Sequence, residues 1–193
     1  MEIIFASHNQ NKVTEISALI GTNYTVKSLT EIGYHEEIIE DGKTLKENAL
    51  IKARTIYKKT NKNCFADDTG LLVAALNNEP GVYSARYAGE QKNANDNMNL
   101  LLKNLTNFDN KNARFVTIIA LIIDGKEYLF EGELLGQITD TKTGKNGFGY
   151  DPIFIPNGFN ISLAEMDLQE KNKISHRAKA FERMISFLSV YNH

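Results

Sequence analysis

The chain opens on an apolar run, Glu2-Ile3-Ile4-Phe5-Ala6, and passes at once into the polar stretch Ser7-His8-Asn9-Gln10-Asn11-Lys12. Val13, Ile16, Leu19 and Ile20 then recur at helical spacing. The pattern predicts a buried strand, a polar loop and a helix. Tyr24 to Leu29 alternates as a strand does, and a polar stretch through Glu36, Glu37, Glu40, Asp41 and Gly42 follows. Thr44 is placed to cap a helix running to about Lys59, with Glu47 three residues on to close a capping box and Leu45, Ala49, Ala53, Ile56 and Tyr57 as its apolar stripe. Asn63 to Ala66 reads as a short strand with Asp67 and Asp68 at its carboxyl end. Asn78-Glu79-Pro80-Gly81 reads as a turn, and Asn95 to Leu105 as a helix with Met98, Leu101, Leu102 and Leu105 inward. Ala113 to Ile123 has the continuous apolar character of a strand buried on both faces, and Asp124-Gly125 turns it into a hairpin with Glu127 to Thr139. Gly144, Gly147 and Gly149 mark a loop before a strand at Ile153-Phe154-Ile155, and Ser175 is placed to cap a last helix with Ala178, Phe181, Ile185 and Leu188 inside. Early alternation of strands and helices followed by a hairpin indicates an α/β fold with a mixed sheet.

Length adds that residues 1–193 form a single domain with a sizeable core. The formal net charge of −2 gives no general attraction to nucleic acid or to anionic membranes, so an anionic substrate must be held by a local cluster of positive groups. Cys64 is the sole cysteine, which excludes an internal disulfide and fits a reducing compartment. The longest apolar run, Phe115 to Ile123, is too short to cross a bilayer as a helix, and the start of the chain lacks the pattern of a signal peptide. A cytoplasmic location is expected, with neither membrane nor nucleic acid as a partner.

Four stretches carry residue types suited to chemistry. Ser7 to Lys12 joins a strand to a helix, so free N–H groups, side-chain donors and the Lys12 charge converge where phosphate or a base edge can bind. Glycines of a Walker loop are missing, and Asn9 serves equally as a helix cap. Asp67 and Asp68 repel each other unless a cation or donors intervene, and strand alternation points them in opposite directions, so they do different jobs. One of them can bind Mg²⁺ and take a proton from an attacking water; the bland alternative is a solvated turn with Asp67 capping a following helix. Glu40 is a candidate second metal ligand within a run that otherwise reads as a solvated loop, and Lys52 is a candidate phosphate partner. In Phe148-Gly149-Tyr150-Asp151, a glycine allows close backbone approach and an aromatic ring can stack on a base, though the loop can also be pinned by buried rings. Lys171, His176 and Arg177 fall at the start of the last helix; Arg177 can fork two donors onto phosphate or a base carbonyl, and His176 can equally be a packed structural histidine. His35 and His193 have no companions and suggest no role. Arg86 can reach a substrate or a partner subunit, or simply sit in a packed loop.

Together these residues resemble the Ham1/RdgB family of inosine/xanthosine triphosphate pyrophosphatases. The marks are Ser7, Asn9 and Lys12; Glu47-Asn48-Ala49 with Lys52-Ala53; Ala66-Asp67-Asp68-Thr69-Gly70-Leu71; Pro80 to Tyr87; Gly147 to Pro152; and Ser175-His176-Arg177. The resemblance runs from Ile3 through the last helix. It implies an elongated two-lobed mixed-sheet fold of the Maf/Ham1 type with a nucleotide cleft between the lobes, usually as a homodimer. It implies Mg²⁺-dependent hydrolysis of ITP, dITP or XTP to the monophosphate and pyrophosphate. Asp68 would then be proton acceptor and metal ligand, with Glu40 as a further ligand. Ser7, His8, Asn9, Gln10, Asn11, Lys12, Lys52 and Thr69 would contact the substrate. Phe148, Gly149, Tyr150 and Asp151 would lie at the base, and Lys171, His176 and Arg177 would complete the pocket. A Maf-like pyrophosphatase for pyrimidine or modified nucleotides and a module that binds nucleotide without hydrolysis are the alternatives.

Overall fold

A computed structural model describes residues 1–20 and 24–191, so His193 lies outside the described residues. In chain order the main elements are β1 (Glu2–Phe5), α1 (Gln10–Leu19), β2 (Thr25–Ser28), α2 (Leu45–Thr60), β3 (Cys64–Val73), β4 (Pro80–Gly81), α3 (Ala94–Leu105), β5 (Asn112–Ile123), β6 (Lys126–Ile138), β7 (Phe154–Pro156), α4 (Leu168–Ile174) and α5 (His176–Tyr191). Seven strands form one sheet in the order β2-β1-β3-β5-β6-β7, with β4 beside β3. The β1 pairings with β2 and β3 are parallel, whereas β3–β4 and β6–β7 are antiparallel, so the sheet is mixed as expected.

Two compact units emerge: one of Met1–Asp68, Thr117–Gly132 and Arg177–His193, the other of Thr69–Val116 and Glu133–His176. In the first unit, the alternation of β3 splits the core in two. Phe65 joins Ile3, Phe5, Ile16, Ile119, Phe181 and Leu188, where the Phe5 and Phe65 rings stack at 4.7 Å. Its neighbours Cys64 and Ala66 face the other way, into a cluster with Ala49, Ala53 and Ile56 of α2. Asp67 therefore shares the side of Phe65, and Asp68 the side of Ala66. The second unit has its own core of Leu71, Val73, Met98, Leu101, Phe115, Tyr150, Phe154 and Leu163, among others.

Local signals hold where they are self-contained. Thr44 Oγ1 accepts from the Glu47 amide while the Glu47 carboxylate accepts from the Thr44 amide, the expected capping box. Asp124 (φ +50°) and Gly125 (φ +76°) make the tight turn between β5 and β6. Ser175 stands immediately before α5 in extended conformation. Four expectations need correction. β3 does not stop at Ala66: it runs on through both aspartates to Val73, because its second half finds a partner in β4 (Leu71 opposite Gly81, Leu72 opposite Pro80). No helix follows Asp67 for it to cap. Lys171 does not open the last helix but lies on the separate seven-residue α4, which starts with a capping box of Asp167 and Glu170. The strand expected from Ile153 begins one residue later, since Asp151–Ile153 is a single 3-10 turn.

Candidate active site

The acidic pair sits in the first unit beyond the last β1 partner on β3, Phe65. Asp67 is almost fully buried and accepts on both oxygens, from Lys12 Nζ at 2.9 Å and Arg177 Nε at 3.2 Å. Burial alone would raise its pKa. Lys12, Arg177 and Lys52 more than reverse that and hold the carboxyl far below the ordinary range. Arg177, 2 % exposed, also donates through Nη1 to Glu15. The fork expected to grip a substrate is thus directed at two protein carboxylates. Glu15 escaped the sequence reading. It sits on the inward side of α1, beside Ile16 and three residues after Lys12, and a carboxylate in that stripe demands a buried cation.

Asp68 faces α2. Its Oδ1 lies 3.4 Å from Lys52 Nζ, which also donates to Glu40 Oε2 at 2.6 Å. Its Oδ2 is buried and has no hydrogen-bond partner among the described residues. Burial, with the charges of Glu40 and Asp67, raises the Asp68 pKa above the ordinary value despite Lys52 and Lys12 nearby. Burial works to lower the Lys52 pKa, but Asp68, Glu40 and Asp67 leave it raised, so the ammonium stays charged. Burial lowers the Lys12 pKa, with Asp67 only partly compensating. Two adjacent aspartates thus have opposite characters: Asp67 is a fixed anion between two cations, and Asp68 is a carboxylate of raised basicity with one oxygen to spare.

The loop before α1 presents the rest of this side. Asn9 Oδ1 caps the helix by accepting from the amides of Asn11 (3.0 Å) and Lys12 (3.3 Å), and Ser7 Oγ accepts from the Asn9 amide at 3.2 Å. The oxygen of Asn9 is therefore engaged within the loop. His8 Nε2 donates to the Glu36 carbonyl at 3.0 Å, and its ring stacks by Tyr34. Gln10 and Asn11 are exposed on the first turn of α1. Thr69, half-buried, follows Asp68 on β3.

A second cluster lies wholly in the other unit. Asp151 Oδ2 accepts from the Phe148 amide at 2.8 Å and from Lys171 Nζ at 2.6 Å, and that ammonium stands 5.0 Å from the Phe148 ring centroid. Gly147, at φ +72°, is required twice over, since a Cβ there would collide with the Asp151 carboxylate. Gly149, at φ +65°, has open space where its Cβ would be. Tyr150 donates its hydroxyl to the Ser84 carbonyl at 2.8 Å and is buried in the core, and burial raises its pKa. It anchors the loop, as the alternative of a pinned loop anticipated. His176 is buried and stacks on Phe115, 4.6 Å between centroids with planes 13° apart.

The donor set on the Asp68 side suits a hard divalent cation. In the ion pairs there, Lys12, Lys52 and Arg177 alternate with Glu15, Glu40, Asp67 and Asp68. Among the described residues there is no group of three or more His, Cys, Asp or Glu able to hold a metal. A pair of carboxylates completed by water and substrate phosphate is the habit of Mg²⁺ rather than of a fully protein-caged ion. Among the described residues no helix is long and apolar enough to cross a membrane.

The chain is similar to known proteins over nearly its whole length. The model of the Ham1 family matches residues 3–187. A dITP/XTP pyrophosphatase of Flavobacterium johnsoniae is 52 % identical over 98 % of this chain and 99 % of its own. One of Christiangramia forsetii is 50 % identical over 98 % of this chain and all of its own. The solved structure of the Staphylococcus aureus Ham1 protein superposes with a TM-score of 0.89 at 40 % identity, covering 99 % of this chain and 100 % of that one.

Proposed function

Because the chain belongs to the Ham1 family and is a nucleoside triphosphate pyrophosphatase for non-standard purine nucleotides, we propose that Asp68 is its general base and that Asp68 and Glu40 hold Mg²⁺. The carrying observation is the buried, unpartnered Oδ2 of Asp68 on a carboxyl of raised pKa. A carboxylate of raised basicity accepts a proton from water more readily than an ordinary aspartate. Bound Mg²⁺ would supply Lewis-acid polarisation of phosphoryl oxygens and partial neutralisation of the polyphosphate. Asp68 accepts the proton of the attacking water as the α–β phosphoanhydride breaks. Lys52 and Lys12 face the phosphates, joined by the amides and side chains of Ser7, His8, Asn9, Gln10 and Asn11, and by Thr69. Asp67 holds Lys12 and Arg177 in place, so Arg177 acts on the site by positioning rather than by the expected direct fork.

The purine end falls to Phe148, Gly149, Asp151 and Lys171, with His176 packed behind them on Phe115 and Tyr150 setting the loop through Ser84. Inosine and xanthosine carry a 6-carbonyl and a protonated N1, while adenine shows the reverse pattern. One unpaired buried polar group costs about 1–3 kcal/mol, so one or two mismatches discriminate strongly. The whole chain, 1–193, acts as one catalytic domain, and the same proposal carries a homodimer and a cytoplasmic location.

The test is product analysis with the full chain and Mg²⁺ on dITP, XTP and ITP beside dGTP, dATP, dTTP and UTP. Pyrophosphate and monophosphate, formed at least about 100-fold faster from the deaminated purines than from dATP, are expected. Orthophosphate without pyrophosphate, a preference for pyrimidines, or binding of ITP without turnover would each defeat it.

A further inference from the structure

Lys52 stands where a metal ion would have to go. Its ammonium is 2.6 Å from Glu40 Oε2 and 3.4 Å from Asp68 Oδ1, and its side chain is only 10 % exposed. Mg²⁺ or Mn²⁺ bound to both carboxylates would need oxygens at about 2.0–2.2 Å. A divalent ion and an ammonium cannot share the same carboxylates at contact distance without strong repulsion, screened by water only on the Glu40 side, where the side chain is 34 % exposed. The capping box at Thr44 fixes the first turn of α2, and Ala49, Ala53 and Ile56 bury its stripe. The helix therefore stays while the four-carbon stem of Lys52 moves.

We propose that Lys52 is a built-in competitor of the metal: its ammonium fills the space between Glu40 and Asp68 until a divalent cation displaces it, and the displaced ammonium then takes up the polyphosphate. This rests on the metal ligands proposed above and adds a consequence they do not contain. Without nucleotide the metal must evict a cation that gives up both carboxylates with no polyphosphate to receive it, so binding is weak. With a triphosphate present the eviction has a destination, so metal and nucleotide favour each other's binding by the same factor. The enzyme thereby avoids holding a divalent ion idle.

The experiment is calorimetric titration of Mn²⁺ alone into the chelator-stripped full chain, comparing wild type with Lys52→Met, Lys52→Gln and Lys52→Arg. Melting curves with and without Mn²⁺ provide a second readout. Loss of the ammonium in the Met and Gln variants should tighten Mn²⁺ binding about tenfold or more and enlarge the Mn²⁺-induced rise in Tm, while the Arg variant, which keeps the charge, stays near wild type. Should Lys52→Met fail to fold, Lys52→Gln, which keeps a polar end on a similar stem, carries the comparison. Measurable but equal or weaker Mn²⁺ binding in the neutral variants would overturn the proposal and leave the metal ligands standing. Absence of Mn²⁺ binding in every protein, wild type included, with or without a nucleotide product present, would overturn both.

Discussion

Replacing Asp67 by Asn removes one charge and almost no volume, yet the structure makes it a severe change. The carboxylate accepts from Lys12 on one oxygen and from Arg177 on the other. A carboxamide has one acceptor oxygen, and its NH₂ would face whichever cation is left. Breaking a buried ion pair by removing one partner costs about 3–5 kcal/mol. Asp67 is 1 % exposed, so no solvent screening reduces that figure. Against the ~5–15 kcal/mol of a typical domain, the loss is large. Urea unfolding at pH 7 in a chelating buffer should show the midpoint falling by about 1–3 M. The pH dependence supplies the stricter check. A carboxyl whose folded pKa is depressed contributes its full stability above its unfolded pKa, about 3.9, and loses it as pH falls towards the folded value. The gap between wild type and Asp67→Asn should therefore be constant from pH 7 to about pH 5 and narrow below about pH 4. An unchanged midpoint at pH 7, or a gap that persists undiminished at pH 3, would refute the account of Asp67 as the anion held between Lys12 and Arg177.

The neighbouring substitution should behave in the opposite sense. The Asp68 pKa is raised, so its contribution is complete below the unfolded pKa and is lost as pH rises through the folded one; Asp68→Asn should match or exceed wild-type stability at pH 7 while turnover of dITP falls about 10²–10⁴-fold, and either a near-normal rate or a melt as low as that of Asp67→Asn would contradict this. Gly147→Ala places a side chain at φ +72° and a methyl against the Asp151 carboxylate, so it should lose at least ~1–2 kcal/mol in urea and raise the KM for dITP more than it lowers kcat; a wild-type midpoint would show that the loop yields freely. Burial pushes the Cys64 thiol up to about 12, so iodoacetamide at pH 8 should leave the native protein unmodified by mass and add one adduct in urea; rapid native labelling would show that β3 opens.

Much of the frame was legible because it is written locally. The Thr44–Glu47 box, the Asp124-Gly125 turn and the apolar stripe of α3 each depend on residues within a few positions of one another. The length of β3 was not, because Asp67-Asp68-Thr69-Gly70 reads as the end of an apolar run. Only the β4 pairing and the cations supplied from residues 12, 52 and 177 make those carboxylates tolerable in mid-strand. Glu15 was missed for the same reason: its partner is 162 positions away. The signal for α4 was present, as Asp167 and Glu170 form a capping box, but seven residues give too short a stripe to register as a helix. In the candidate site, the sequence named residues that the structure sets in two clusters, one around Asp68 and one around Asp151. It could not say that Tyr150 is committed to Ser84 or His176 to Phe115, since such choices are made by tertiary packing.

The placement of both aspartates inside a continuous strand makes their division of labour a question of odd and even. Inserting or deleting a single residue between Cys64 and Asp67 would move each carboxylate to the opposite face, delivering Asp68 to Lys12 and Arg177 and Asp67 to Lys52. A pair of residues added at the same spot would restore the assignment at the expense of reach. Lineages of this fold should therefore tolerate length variation almost anywhere before they tolerate it here.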